Sequence, residues 1–311
     1  MQTPWGDFPV CDAHVHFFSR RFFETLGAQA GRTAEQVASA TGWDLPPEDP
    51  AELAQVWAAA LEAHGILRAS LISSVPGDEA SVAAAVAARP DRFFGYFMLN
   101  PMDEGALDRA QVAFRCGLHA VSLFPAMHRY SVHDARVLAV LDEAARQNEK
   151  PNEPGKPAAG RAVFVHCGVL TVGVRKKLAL PSPFDMRCSN PIDLHAIALR
   201  YPGLAFVIPH FGAGYLREAL MLADLCPNVY LDTSSSNAWM KYEGLDLKTV
   251  YRRALDVVGA GRLLFGTDSS FFPRGWNHAI FEAQTRALLD MGISGSDARL
   301  ILGENLQRLF Q

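Results

Sequence analysis

The chain has 311 residues, 49% of them hydrophobic and 20% charged, with a formal net charge of −4. That balance supports one large buried core and excludes disorder as the default state. No basic run or stripe interrupts it, which argues against nucleic acid and membrane surfaces as partners, because both need concentrated positive charge.

The N-terminal Met1-Gln2-Thr3-Pro4-Trp5 shows neither a basic leader nor an apolar signal region. No apolar run approaches the roughly 20 residues that span a bilayer. The five cysteines, Cys11, Cys116, Cys167, Cys188 and Cys226, form no CxxC pair and read as free thiols of a reducing cytoplasm.

Short apolar, β-branched or aromatic runs then alternate with longer alanine-rich amphipathic runs, the pattern of βα units. The first strand, Val10–His16, contains Asp12-Ala13-His14-Val15-His16. Side chains alternate faces along a strand, so His14 and His16 share one face and lie close enough to share one metal. Two tolerated polar residues on a half-exposed strand is the plainer alternative. Unpaired inward imidazoles in an otherwise apolar run are costly, which favours the ligand pair. Residues 17–49, with Trp43 and Pro46-Pro47, exceed a short connector. A segment leaving the first strand of a barrel at this length is expected to fold over the active-site face as a lid.

Helix Pro50–His64 follows, then strand Arg68–Val75, helix Asp78–Ala88, strand Phe93–Leu99, helix Asp103–Arg115, strand His119–Pro125 and helix His133–Asn148. Lys150–Gly160 reads as a flexible surface loop on the opposite rim. Beyond it come strand Ala162–Cys167, helix Pro191–Arg200, strand Leu204–His210, helix Gly214–Leu225, strand Asn228–Thr233, helix Asp246–Val258, strand Leu263–Asp268 and a last helix near Trp276–Met291. Eight such alternations predict an α/β fold, a single (β/α)8 TIM barrel over residues 1–311, with a doubly wound open sheet as the alternative.

Three of the later strands stop on metal-type residues. His166 ends Ala-Val-Phe-Val-His, His210 ends Val-Ile-Pro-His, and Asp268 ends Leu-Leu-Phe-Gly-Thr-Asp. Taken singly, each suits a turn or a cap. In a barrel, however, all strand C-termini converge on one face, and together with His14 and His16 these residues point to a metal site there.

These segments, with the terminal Gly303-Glu304-Asn305-Leu306-Gln307-Arg308-Leu309-Phe310, resemble the amidohydrolase superfamily. The resemblance is greatest to its branch containing aminocarboxymuconate-semialdehyde decarboxylase, and it spans nearly the whole chain. It implies His14, His16, His166 and Asp268 as metal ligands, with His210 bonding a water or the substrate. Two-metal members carry a lysine on strand four. Here Ser122 takes that place, so one divalent ion is expected, with Zn²⁺ first and Mn²⁺ or Fe²⁺ as alternatives. Asp268 and His210 become the catalytic residues: Asp268 accepts a proton from a water activated by the ion and delivers it to the leaving group, and His210 orients that water or stabilises negative charge developing on oxygen.

Substrate contacts are expected from the loops of the same face: Arg274, Phe271 and Trp276 after Asp268, Arg187 after His166, and Trp239. Arginine among aromatics suits a small carboxylate. Arg175-Lys176-Lys177 reads instead as a solvated helix face. The leading functional reading is a metal-dependent hydrolase of a carboxylate-bearing small molecule, with non-oxidative decarboxylation as its rival. A non-catalytic binding barrel or a metal-free lactonase would be expected to have lost a ligand, and none is missing. By resemblance, the chain is expected to form a homodimer.

Overall fold

The computed structural model describes residues 1–148 and 160–310. The expected surface loop at 150–160 lies outside them, except for Gly160. Eight parallel strands run in sequence order: β1 (Val10–Phe17), β2 (Ile66–Ser73), β3 (Phe93–Leu99), β4 (Ala120–Leu123), β5 (Ala162–Val165), β6 (Ala205–Ile208), β7 (Val229–Asp232) and β8 (Leu263–Leu264). Each pairs with its sequence neighbour. The ring is completed across the first and last strands by backbone bonds. Ala13 N–H donates to Phe265 O at 2.8 Å, Asp268 N–H to His14 O at 3.0 Å and His16 N–H to Ser269 O at 2.7 Å. The result is a nearly closed TIM barrel, and the open-sheet alternative is set aside.

The two-residue period sorts the strand side chains. Phe94, Tyr96, Ala120, Phe164, Val207 and Leu264 fill the barrel interior. Their neighbours Leu71, Phe97, Val121 and Phe206 face outward against the helices. The outer ring reads by its 3.6 period. On the helix Leu247–Val258, for example, Val250, Tyr251, Ala254 and Val258 are buried on one stripe, and Asp246 caps the N-terminus through Thr249 N–H.

The eighth strand is shorter than expected. The run Leu263–Asp268 keeps strand geometry only to Leu264. At Gly266 the chain passes so close to β1 that a Cβ would meet His14 Cβ and Ser234 Cβ at 2.9 Å.

Residues 17–49 carry two helices that the pattern did not resolve, α1 (Arg20–Ala30) and α2 (Ala34–Thr41). Both carry sequence signals. Ser19 and Thr33 are N-caps, and Gly31 and Gly42 close the helices in the left-handed region at φ 63° and 70°. They pack Phe22, Phe23, Leu26 and Val37 against Val174 and Leu178 of the segment after β5, forming a separate small core. That segment holds the short helix Gly173–Lys177. Among the described residues, no helix is long and apolar enough to cross a membrane.

Candidate metal centre and its cavity

Strand β1 delivers both of its histidines to the C-terminal end of the barrel. His14 is buried, and its Nδ1 lies 2.6 Å from Oδ2 of Asp232, at the end of β7. A carboxylate only accepts, so Nδ1 carries the proton and Nε2 presents a lone pair. His16 reaches the same state by another route. Its Nδ1 lies 2.8 Å from Ser74 Oγ, and Ser74 donates its own proton to Ile72 O at 3.1 Å. The Nε2 atoms of the two rings face each other at 3.4 Å, with Asp268 Oδ1 3.7 Å from His14 and 3.3 Å from His16.

Two lone pairs and a carboxylate converging this closely repel one another unless a cation lies between them. His14 Nε2, His16 Nε2 and Asp268 Oδ1, all within 4.8 Å of one another, are a donor set of the kind a divalent ion takes. The electrostatics show that the carboxylates favour positive charge at this point, whether a proton or a cation supplies it. Burial opposes charge on His14, yet Asp232 outweighs it and raises the ring above its ordinary range. Burial would raise Asp268, but the His16 hydrogen bond and the charges of His14 and His16 hold its carboxyl far below the usual range.

His166 follows β5, buried and stacked on Phe124 at 5.5 Å between ring centroids. Burial first, then the charges of His210 and His14, keep it neutral. Its Nδ1 is buried without a hydrogen-bond partner. An orphaned imidazole nitrogen beside this cluster fits a further ligand, although His166 stands outside the tight three-residue group.

His210 lies just beyond β6 with φ 56°, and Asp268 has φ 58°. Left-handed backbone at non-glycine residues costs on the order of 1–3 kcal/mol, and it is concentrated where side chains must be aimed. His210 Nδ1 lies 3.2 Å from the Ser234 carbonyl, which fixes the proton on Nδ1 and leaves Nε2 basic. Burial, then the His14 charge, holds the ring neutral.

Above this floor opens a cavity of about 670 Å³. His14, His16, His166, His210 and Asp268 line it, as do Phe271, Arg274 and Trp239. Phe18, Phe22 and Trp43 from residues 17–49 supply one wall. Trp43 stacks on Phe271 at 4.4 Å, and the Arg274 guanidinium also lies over the Phe271 ring, 4.4 Å from its centroid. Arg274 also donates to Ser270 Oγ at 3.0 Å.

Two expected contacts fall elsewhere. Trp276 is buried beneath the site, where its Nε1 donates to Asp12 Oδ2 at 2.8 Å, so it braces β1 and does not line the cavity. Arg187 is exposed and spent on Asp185 at 2.7 Å, outside the cavity lining. Lys177, expected on a solvated face, instead lines the rim. Its Nζ donates to Thr41 O at 2.8 Å and lies 5.3 Å from the Trp43 ring centroid.

Sequence reasoning missed Asp232, Ser234 and Ser74, the groups that set the histidine tautomers. Asp232 was within reach, since it stands one residue from the end of the seventh expected strand, much as Asp268 ends the eighth. The two serines carried no signal.

A family model described as Amidohydrolase matches residues 11–311. Among curated proteins, Protein fluG of Emericella nidulans is 38% identical over 85 residues, 27% of this chain. That stretch spans only 10% of the fungal protein's length. Among solved structures, 5-carboxyvanillate decarboxylase of Novosphingobium aromaticivorans, with bound manganese and 3-methoxy-4-hydroxy-5-nitrobenzoic acid, superposes with TM-score 0.64 and 14% identity, covering 98% of this chain and 97% of that one. A probable 2-pyrone-4,6-dicarboxylic acid hydrolase of Acinetobacter baumannii, with citric acid bound, gives TM-score 0.63 and 14% identity over 97% and 99%. At these identities, the two structures speak for the fold.

Proposed function

The chain belongs to the amidohydrolase family, and from that premise we propose that it is a metal-dependent hydrolase acting on a small carboxylate-bearing substrate. The observation that carries this reading is the meeting of His14 Nε2, His16 Nε2 and Asp268 Oδ1 at the floor of an aromatic-walled cavity. His166, with its orphaned Nδ1, completes the proposed ligand set. A divalent ion bound there supplies Lewis acidity toward a substrate oxygen or a water.

The protein's own groups do the rest. His210, neutral and with Nε2 unprotonated, accepts a proton from the attacking water. Asp268, ionised at neutral pH, is the second proton acceptor and the donor to the leaving group. Arg274, on the rim beyond Asp268, pairs with the substrate carboxylate and directs the adjacent bond to the floor.

Decarboxylation is the second reading, favoured by the flat aromatic surfaces of Phe18, Phe22, Trp43 and Phe271, which suit a planar acid. The products decide between the two. Protein purified without chelator should carry about one equivalent of metal. It should then be offered aryl carboxylates, lactones and N-acyl amino acids, with CO₂ release and acid production followed in parallel. Acid without CO₂ supports hydrolysis, and CO₂ alone transfers the proposal to carboxy-lyase chemistry. If neutral esters turn over as fast as carboxylates and Arg274→Ala leaves KM unchanged, the carboxylate clamp is wrong.

A further inference from the structure

Asp78 is fully buried, and it occupies the N-cap position of α4 (Glu79–Ala88). Aspartate at such a position ordinarily accepts from the first free N–H groups of its own helix. Here its side chain makes no such bond. Both oxygens are taken by hydroxyls. Ser19 Oγ donates to Oδ2 at 2.6 Å, and Ser81 Oγ donates to Oδ1 at 2.5 Å.

Ser19 faces two ways. Its proton goes to Asp78, while its oxygen accepts Phe22 N–H at 3.2 Å as the N-cap of α1. Just beyond this joint lie Phe18 and Phe22, stacked at 3.9 Å, and both rings line the cavity. A run of contacts therefore leads from α4 through Asp78 and Ser19 to the cavity wall. Burial also pushes the Asp78 carboxyl up to about 6, so an ionised group here costs stability that a neutral residue would not.

We propose that Asp78 is a positioning residue: through Ser19 it anchors the start of α1 and so fixes the Phe18–Phe22 wall. The proposal goes beyond the assigned chemistry and holds whichever bond is broken.

Limited trypsin digestion of the full chain tests it without any substrate, because Arg21 and Arg32 are exposed on residues 17–49. Asp78→Asn and Ser19→Ala should each raise cleavage at these sites by about tenfold, the effect of losing one buried hydrogen bond. Asp78→Asn plus Ser19→Ala together should raise it no further, since both residues serve one joint. Metal content should stay at the wild-type level. On any carboxylate that the panel identifies, KM should rise severalfold while kcat stays within about twofold. Unchanged cleavage, effects that add in the double variant, or faster cutting spread evenly along the chain would each overturn the proposal. The digestion decides even if the panel finds no activity.

Discussion

His14 and His16 present the same atom to the same point, yet their outer nitrogens rest on unequal partners. A buried carboxylate holds His14 and a hydroxyl holds His16. The carboxylate fixes the tautomer and also makes the ring a stronger donor, so its loss should matter more. Asp232→Asn should weaken Zn²⁺ binding by about 10–100-fold, and Ser74→Ala by less. Titration calorimetry on chelator-stripped protein measures both. Equal affinity for Asp232→Asn and wild type would mean that Asp232 does not set the tautomer. His210 makes the complementary case, because the proposed ligand set is complete without it. His210→Asn should retain metal while turnover falls by roughly 10²–10⁴, the usual cost of a missing proton-transfer group. Metal loss in that variant would place His210 among the ligands.

At the scale of elements, β4 shows how one half-buried group couples strand packing to pH. His119 immediately precedes it, accepting Gly95 N–H through Nδ1 at 3.2 Å between Phe94 and Phe310. Burial, then the charges of Arg161 and Arg68, push its pKa from 6.5 down to about 4. The unfolded chain takes up this proton as pH falls through the ordinary value, and the folded chain does so only near the lower one. The stability His119 contributes is therefore complete above the ordinary value and is lost as pH falls through that window, to a total of about 3 kcal/mol. In His119→Asn, Oδ1 can take the Gly95 bond without titrating. Urea denaturation at a series of pH values should show a flatter profile for this variant between pH 4 and 6.5 than for wild type. Parallel profiles would show that His119 does not produce the slope.

At the scale of the whole molecule, the closure of the ring and the histidine floor of the cavity are one structure. Asp12 is fully buried and accepts four donors: His14 N–H and Thr267 N–H on Oδ1, and Thr267 Oγ1–H and Trp276 Nε1–H on Oδ2. It thereby ties β1 to the segment after β8 directly beneath the histidines. Asp12→Ala leaves those donors buried and unpaired, and should destabilise the fold by about 3 kcal/mol or more, measured by chemical denaturation. Gly266→Ala tests the same seam by shape, since its Cβ would press on His14 and Ser234. A cost of about 1–3 kcal/mol accompanied by weakened metal binding is expected. Loss of stability with metal affinity intact would separate closure from the site.

The sequence determined the barrel and the chemistry of its floor by local rules. Periods of two and 3.6 residues are written into each element separately. The placing of His14, His16 and His166 at one end of the barrel follows from the same periods, because parallel strands all end on one face, and His210 and Asp268 reach that face from left-handed backbone just past their strands. Tertiary structure decided what depends on residues far apart in the chain. That Asp232 rather than water meets His14, that Trp276 turns inward to Asp12, and that Lys177 reaches Thr41 at the cavity rim are all long-range meetings. A side chain's partner across such a distance is fixed by how the loops pack, and no periodicity encodes it.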